Sequence, residues 1–354
     1  MAMEHEQKKA AAGSGKPLPS PISVIIPCYN MAPWVERCVY SVLRQERVLV
    51  EVIAVNDCST DNTGALLDAL ASAEPRLKVL HLPVNVGLHA ARRAGFREAR
   101  HDLVGFVDSD DHIPADMYAR LAEAMKRTGA DMALGGWRAV DENGGTVAEF
   151  SYAREQVFMD DLPGRFARFE FSKGVVWNKL YRRAVIAPAM AMELDRALDS
   201  GADYIIGFGN FMRAGKVVTV PGATYYYVQR GSSMSNSMDR AKAFAFLIDC
   251  YTISLEQYAG AGTAVLDAID ASYRHQLRFP AYSVTAPDTL LPYRDQLSRA
   301  LGRMAAIRPQ SIASLVQTFH PEARPAGRSP VRYHLGQVRQ GLAGALRTLL
   351  HRSP

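Results

Sequence analysis

Nowhere in its 354 residues does the chain carry an uninterrupted apolar run near the roughly 20 residues that a bilayer-spanning helix requires. A signal-peptide pattern is missing as well. Glu4-His5-Glu6-Gln7-Lys8-Lys9 leads into small residues and Gly13-Ser14-Gly15, with no apolar stretch between them. Residues 1–20 therefore read as a flexible leader, and a cytoplasmic location is the default expectation. Cysteine is scarce. Cys28, Cys38, Cys58 and Cys250 form no Cys-x-x-Cys pair, which argues against a thiolate metal site and more strongly against a disulfide framework. Cys28 and Cys58 fall at predicted strand ends and are expected to pack. No Gly-x-Gly-x-x-Gly follows the first apolar segment, which disfavours a dinucleotide oxidoreductase. Internal repeats are absent, and nothing beyond the leader is of low complexity. Excess charge is mild, at a net +5. It favours an anionic partner such as a nucleotide or an acidic membrane surface, and a nucleic-acid partner is not expected.

What is present is a core and a regular pattern. Hydrophobic residues make up 48% and charged residues 22%, as in soluble globular proteins with one large or two modest domains. The first half alternates. Apolar segments at Ile22 to Pro27, Val50 to Val55, Lys78 to Leu82, Leu103 to Val107 and Asp131 to Val140 read as strands. Helical segments follow each of the first four, at about Ala32 to Gln45, Asp61 to Leu70, Gly87 to Ala99 and Pro114 to Thr128. The pattern implies an α/β fold with a mostly parallel sheet and flanking helices, whose ligands bind beyond the carboxyl ends of the strands. The polar residues stand there: Tyr29-Asn30, Asn56-Asp57, Asn85 and Asp108-Ser109-Asp110. In the second half, Leu162 to Phe171 and Ala202 to Arg213 read as helices, Lys216 to Val220 as a strand, and the chain from Asp239 onward as mainly helical.

Asp108-Ser109-Asp110-Asp111 is the most telling element. Three carboxylates at a strand end oppose one another's ionisation, and a cation relieves that cost. Asp108 and Asp110, one residue apart, suit Mn2+ or Mg2+, hard ions that take one or two protein carboxylates and complete their shell with phosphate oxygens. A turn with an aspartate capping a helix before Pro114 is the competing use.

The ordered set of these motifs resembles family 2 of the inverting glycosyltransferases, which have the GT-A fold. The resemblance rests on Pro27-Cys28-Tyr29-Asn30, Val55-Asn56-Asp57-Cys58-Ser59-Thr60-Asp61, Asn85-Val86-Gly87-Leu88 with Ala91-Arg92, and Phe106 through Asp111. Trp177-Asn178-Lys179-Leu180-Tyr181, Gly201-Ala202-Asp203 and Tyr225-Tyr226-Tyr227 through Arg230 and Ser233 extend it over roughly residues 21–235. It implies a Rossmann-like GT-A domain at 21–235, with a nucleotide-sugar half at about 21–140 and an acceptor half at about 141–235. A helical region at 236–354 would follow.

The activity implied is transfer of a sugar from a nucleotide-sugar, UDP by default, to a glycan or lipid-linked acceptor in cell-surface polysaccharide synthesis. The donor residues implied are Pro27, Tyr29, Asn30, Asp57, Asn85, Gly87, Arg92, Asp108, Ser109, Trp177, Lys179, Arg230 and Ser233. Tyr29 can lie on a base and Asp57 can accept from a ring N–H, although an Asx turn also accounts for Asp57. Asp61 is assigned to capping. Arg92 suits either the diphosphate or the acidic cluster, while Arg93 departs from the family pattern and is expected in solvent. Trp177 can stack on a sugar or pack in the core. The resemblance supplies a base from a Glu-Asp pair that reads Ala202-Asp203 here. Asp203 keeps the role, with Asp195 and Asp199 in reserve.

After Glu322 the chain carries Arg324, Arg328, Arg332, Arg339, Arg347 and Arg352 and no carboxylate, with apolar residues near helical spacing. Such a helix can lie on the inner face of an anionic membrane, or pack on the catalytic domain or on another subunit of a homo-oligomer. Two other functions compete. A sugar nucleotidyltransferase would open on a Gly-rich basic loop, which Pro27 to Ala32 is not. A non-catalytic nucleotide- or glycan-binding module would account for the missing glutamate before Asp203.

Overall fold

The structure is a computed structural model that describes residues 21–172, 174–194, 199–231, 239–279, 282 and 287–319. The leader, Asp195, Ser232, Ser233, Ser235 and the basic segment after Glu322 lie outside the described residues.

The apolar runs fold as strands where the pattern places them. β1 (Ile22–Cys28) and β2 (Val50–Asn56) are buried at all seven positions each, so both read as continuous rather than alternating apolar segments. β3 (Leu77–His81) pairs with β2, and β4 (Leu103–Phe106) with β1, all in parallel. Between them run α1 (Val35–Leu43), α2 (Thr63–Ala73) and α3 (Leu88–Glu98), with α4 (Met117–Thr128) after β4. Helix α3 lies on β1 and β2, and α2 on β3. Helix α4 stops where Lys126 and Arg127 face its negative end and Gly129 takes a left-handed φ of 69°, its N–H bonding to Met125 at 2.9 Å. Gly105 lets the Tyr118 ring of α4 lie directly against β4, because a Cβ there would strike the phenol.

Beyond β4 the sheet is no longer parallel. β8 (Lys179–Arg182) inserts between β4 and β5 (Met132–Val140), antiparallel to both. β5 pairs in parallel with β9 (Val217–Val228), β6 (Thr146–Phe150) pairs with β5, and β7 (Gln156–Phe158) edges β9. The sheet of nine strands runs β3-β2-β1-β4-β8-β5-β9-β7, with β6 off that path. The two segments read as separate, at Lys216 and Tyr225, are one strand. Pro221-Gly222 kinks it, the register against β5 jumps from Thr219 to Thr224, and Gly222 takes a φ of 71°.

Contacts divide the chain into two units. The first holds the sheet with residues up to 158, 177–191 and 215–229, including α6 (Arg183–Ala191), which packs on α3 and β8. The second takes 159–176, 192–214 and the chain from 230. Its described helices are α5 (Leu162–Ala167), α7 (Asp199–Arg213), α8 (Arg240–Gln257), α9 (Thr263–Gln276), α10 (Arg294–Ile307) and α11 (Pro309–Phe319). This division differs from a single cut at 235, because α5 and α7 join the C-terminal helices. The cause is an aromatic cluster. Phe166 of α5 sits 4.7–5.0 Å from the rings of Tyr204, Phe208 and Phe211 on α7, and Tyr204 meets Tyr273 of α9 at 5.5 Å. Among the described residues no helix is long and apolar enough to cross a membrane.

Candidate functional site

The loops that follow β1, β2, β3 and β4 gather at the carboxyl edge of the first unit, because parallel pairing sends all four strands the same way. The ladder from β1 to β4 stops at Ile25–Phe106, just before Pro27, whose ring nitrogen has no hydrogen to offer. The strands part there at no cost in sheet bonds. Tyr29 stands at the opening, 41% exposed. Asn30 takes a left-handed φ of 53°, accepts from Thr60 N–H at 2.8 Å and donates its own N–H to Ser59 Oγ at 3.0 Å. Asp61 is expected to cap α2, but the N-cap is Asn62, with no side-chain capping bond; Asp61 instead accepts from Thr63 N–H at 3.0 Å and from Ala32 N–H at 3.1 Å. These bonds stitch the first two loops together.

Asp57, only 3% exposed, fastens the third loop. Its two carboxylate oxygens accept from Val86 N–H at 2.7 Å and Gly87 N–H at 2.9 Å, and Asn85 donates to its carbonyl at 3.0 Å. Gly87, at φ 93°, opens α3. An acceptor bond from a base would use lone pairs on oxygens already held by the backbone. From α3, Arg92 is 1% exposed and reaches Asp108 with Nη2–Oδ1 at 2.7 Å. Of the two partners open to it, the acidic cluster is the one it touches. Arg93 corrects the sequence reading: it is half-buried and donates to the Met190 carbonyl at 3.2 Å, since α6 covers that face of α3.

The acidic loop divides its carboxylates by role. Asp111 is buried, accepting from Tyr225 Oη at 2.7 Å and from Val228 N–H at 2.8 Å. The same Tyr225 oxygen accepts from Asp108 N–H at 3.0 Å. Burial, then repulsion from Asp110 and Asp108, pushes the Asp111 carboxyl well above its ordinary pKa, against the bonds from Val228 and Tyr225. Asp108 and Asp110 are half-buried and Ser109 is buried. The donors they offer are all oxygen, from two carboxylates one residue apart, which is the chemistry a hard divalent cation takes alongside phosphate oxygens. Among the described residues no larger group of His, Cys, Asp or Glu is arranged to hold a metal. Sequence reasoning missed the roles of Asp111 and Tyr225. The available signal was the third carboxylate itself, one more than such an ion takes from protein.

His112 continues the loop, exchanging backbone bonds with Tyr226 and stacking on its ring at 4.8 Å. Burial and, secondarily, the Arg37 guanidinium push its pKa from 6.5 down to about 4. The folded protein thus refuses a proton that the unfolded chain accepts. Stability from neutral His112 is complete above pH 6.5 and is lost as pH falls toward 4. His112→Phe keeps the stack and should flatten that limb in urea titrations between about pH 7.5 and about pH 4.5.

Trp177 and Lys179 lie in the first unit as well. The indole is 8% exposed and stacks 4.2 Å from Tyr225 and 6.0 Å from Tyr227, so of its two expected uses the structure shows packing. Lys179 is buried in β8, its Nζ donating to Asn178 Oδ1 at 2.7 Å. Cys28 is buried with its thiol pKa raised to about 12 by burial, as a packing residue should be, whereas Cys58 is only half-buried at a left-handed φ of 56°. Arg230 follows β9 and is half-buried. Asp203 is in the second unit on α7, half-buried, and accepts from Val176 N–H at 3.2 Å. Its neighbour Ala202 is 0% exposed. Successive helix residues do not share a face, so a glutamate at 202 would enter the core and not join Asp203. Ala202→Glu should cost about 3 kcal/mol or more, read as a lower melting temperature.

Comparison with known proteins gives a family and a fold. Residues 23–187 match the family model described as Glycosyl transferase family 2. Glycosyltransferase GlyG of Streptococcus pneumoniae is 34% identical over 227 residues, 62% of this chain and 74% of that protein. The uncharacterized glycosyltransferase EpsJ of Bacillus subtilis is 28% identical over 60% of this chain and 62% of its own length. The succinoglycan biosynthesis protein ExoO of Rhizobium meliloti is 30% identical over 60% and 62%. The chain thus spans about three-fifths of the length of these last two relatives. Among solved structures, S. aureus TarS 1–349 in complex with UDP-GlcNAc superposes with a TM-score of 0.67 at 19% identity, covering 94% of this chain and 90% of that one. That likeness shows the fold.

Proposed function

Because this chain belongs to glycosyl transferase family 2, we propose that it transfers a sugar, with inversion, from a UDP-sugar to a glycan or lipid-linked acceptor in polysaccharide synthesis. The observation that carries this reading is the meeting of Tyr29, Asp57, Arg92, Asp108 and Asp110 at one edge of four parallel strands. The binding of UDP-GlcNAc by TarS supports a UDP-sugar donor.

In this reading the exposed Tyr29 ring lies on the base, and Asp57 orders the loop beside it. Asp108 and Asp110 would hold Mn2+ or Mg2+, which when bound would stabilise the charge gathering on the leaving diphosphate. Arg92, ion-paired to Asp108, fixes the orientation of that carboxylate. Arg230 is assigned to the diphosphate oxygens. Asp203 accepts the proton of the acceptor hydroxyl as that oxygen bonds to the anomeric carbon, and the old bonding pair departs with UDP. The basic segment after Glu322 suits an anionic membrane surface, where a lipid-linked acceptor would be met.

Screening nucleotide-sugars for slow hydrolysis without acceptor, with and without EDTA, tests the proposal. A UDP-sugar should be consumed only when the divalent cation is present. Binding of UDP with no turnover for any donor and acceptor would leave a binding module, and failure to bind any nucleotide would end the reading.

A further inference from the structure

We infer that Tyr225 is a positioning residue, whose hydroxyl, clasped to Asp111, sets the backbone from which Asp108 and Asp110 project. The inference deepens the proposed function and rests on those two aspartates serving the donor through a cation. Loops after strand ends are the mobile parts of a fold, and three neighbouring carboxylates drive such a loop apart. Something has to hold it.

The fold supplies that from β9, far away in sequence. Tyr225 is completely buried, its ring stacked on Trp177 at 4.2 Å, so its hydroxyl has little freedom to move. That hydroxyl donates to Asp111 Oδ2 at 2.7 Å and accepts from the Asp108 N–H at 3.0 Å. Val228 N–H takes the other Asp111 oxygen at 2.8 Å, and the backbones of His112 and Tyr226 exchange bonds at 3.0 and 3.3 Å. Both ends of the Asp108–Asp111 turn, itself closed by Asp111 N–H to the Asp108 carbonyl at 3.0 Å, are therefore tied to one strand. Asp110 lies between the two ties. Removing the hydroxyl takes that acceptor from the Asp108 N–H and leaves Asp111 held by the Val228 N–H. The error then falls on the spacing of the two flanking carboxylates, to which a chelated ion is sensitive.

The test uses Tyr225→Phe, which keeps the ring and its stack, Asp111→Asn, and the double variant. Tyr118→Phe is the control, since the Tyr118 hydroxyl is also buried but finds no hydrogen-bond partner among the described residues. Two readouts are taken on the full chain. Hydrogen exchange of the Asp108 amide should quicken about 10-fold in Tyr225→Phe, with β1 and β2 unchanged. UDP affinity with Mn2+ should fall about 10-fold while the affinity in EDTA stays put, and the double variant should lose no more than the worse single one. Tyr118→Phe should change neither. Unchanged Asp108 exchange in Tyr225→Phe overturns the inference whatever the protein binds. An equal loss of affinity with and without Mn2+ overturns it too, because that is the mark of general damage. Wild-type protein whose UDP affinity ignores Mn2+ removes the cation reading instead, and the exchange measurement still decides whether Tyr225 orders the loop.

Discussion

Asp110→Asn is expected to abolish the Mn2+- or Mg2+-dependent part of UDP binding, lowering affinity in the presence of the cation at least ~100-fold. An amide in place of the carboxylate removes a charged oxygen donor at a half-buried position in a strand-end loop. The fold should not suffer. Asp110 repels the buried Asp111 carboxyl, so removing its charge relieves strain in the loop. The melting temperature should therefore hold or rise while cation-dependent binding disappears. Calorimetry with UDP, with and without EDTA, gives the first quantity, and a thermal scan the second. Intact cation-dependent affinity in the variant would remove Asp110 from the metal site.

Asp203→Asn carries the other large effect. Transfer should fall at least ~100-fold, the usual contribution of a general base, because an amide cannot take the proton from the acceptor hydroxyl. Donor affinity should hardly change, since a base faces the acceptor hydroxyl and not the diphosphate. Steady-state turnover and UDP titration on one preparation separate the two quantities. The Val176 N–H that Asp203 accepts at 3.2 Å keeps an oxygen partner in the asparagine variant, so the local backbone should stay in place. Near-normal turnover would pass the role to Asp195 or Asp199.

Much of this architecture was legible before any coordinate. The strands β1 to β5 and the helices between them follow from continuous apolar runs punctuated by polar loops, and their shared direction gathers the site at one edge. The second half resisted for physical reasons. β8 is only four residues long and owes its place between β4 and β5 to partners distant in sequence, which no local periodicity encodes. Pro221-Gly222 resembles a strand terminator, yet β9 absorbs it as a bulge. Tyr29, Asp57 and the acidic loop stand at the strand-end edge where residue type and position put them. What their neighbours do was not legible, because burial decides it. Asp108 and Asp111 have the same side chain, but Tyr225 and Val228 occupy the oxygens of Asp111 while Arg92 meets Asp108. Arg93 and Ala202 show the same lesson from the other side, each read from its chemistry alone and placed by the helix face it occupies.

The interleaving of the two units also bears on how the protein can be cut and recombined. The chain passes from the sheet to the helices and back at 158, 176, 191, 214 and 229, so the helical part is not one contiguous piece of polypeptide. Ending a shortened version near 235 would keep Phe166, Tyr204, Phe208 and Phe211 but discard α8 and α9, against which α7 and α5 are packed. An aromatic surface built to be covered would face water and invite association. Exchange of helical regions between related enzymes would therefore need three segments moved together, which favours inheritance of the whole over shuffling of its parts. Assembly has a similar shape: Phe166 and Tyr273 enter one core from opposite ends of a loop of more than about 100 residues, a closure that long-range contacts make slow.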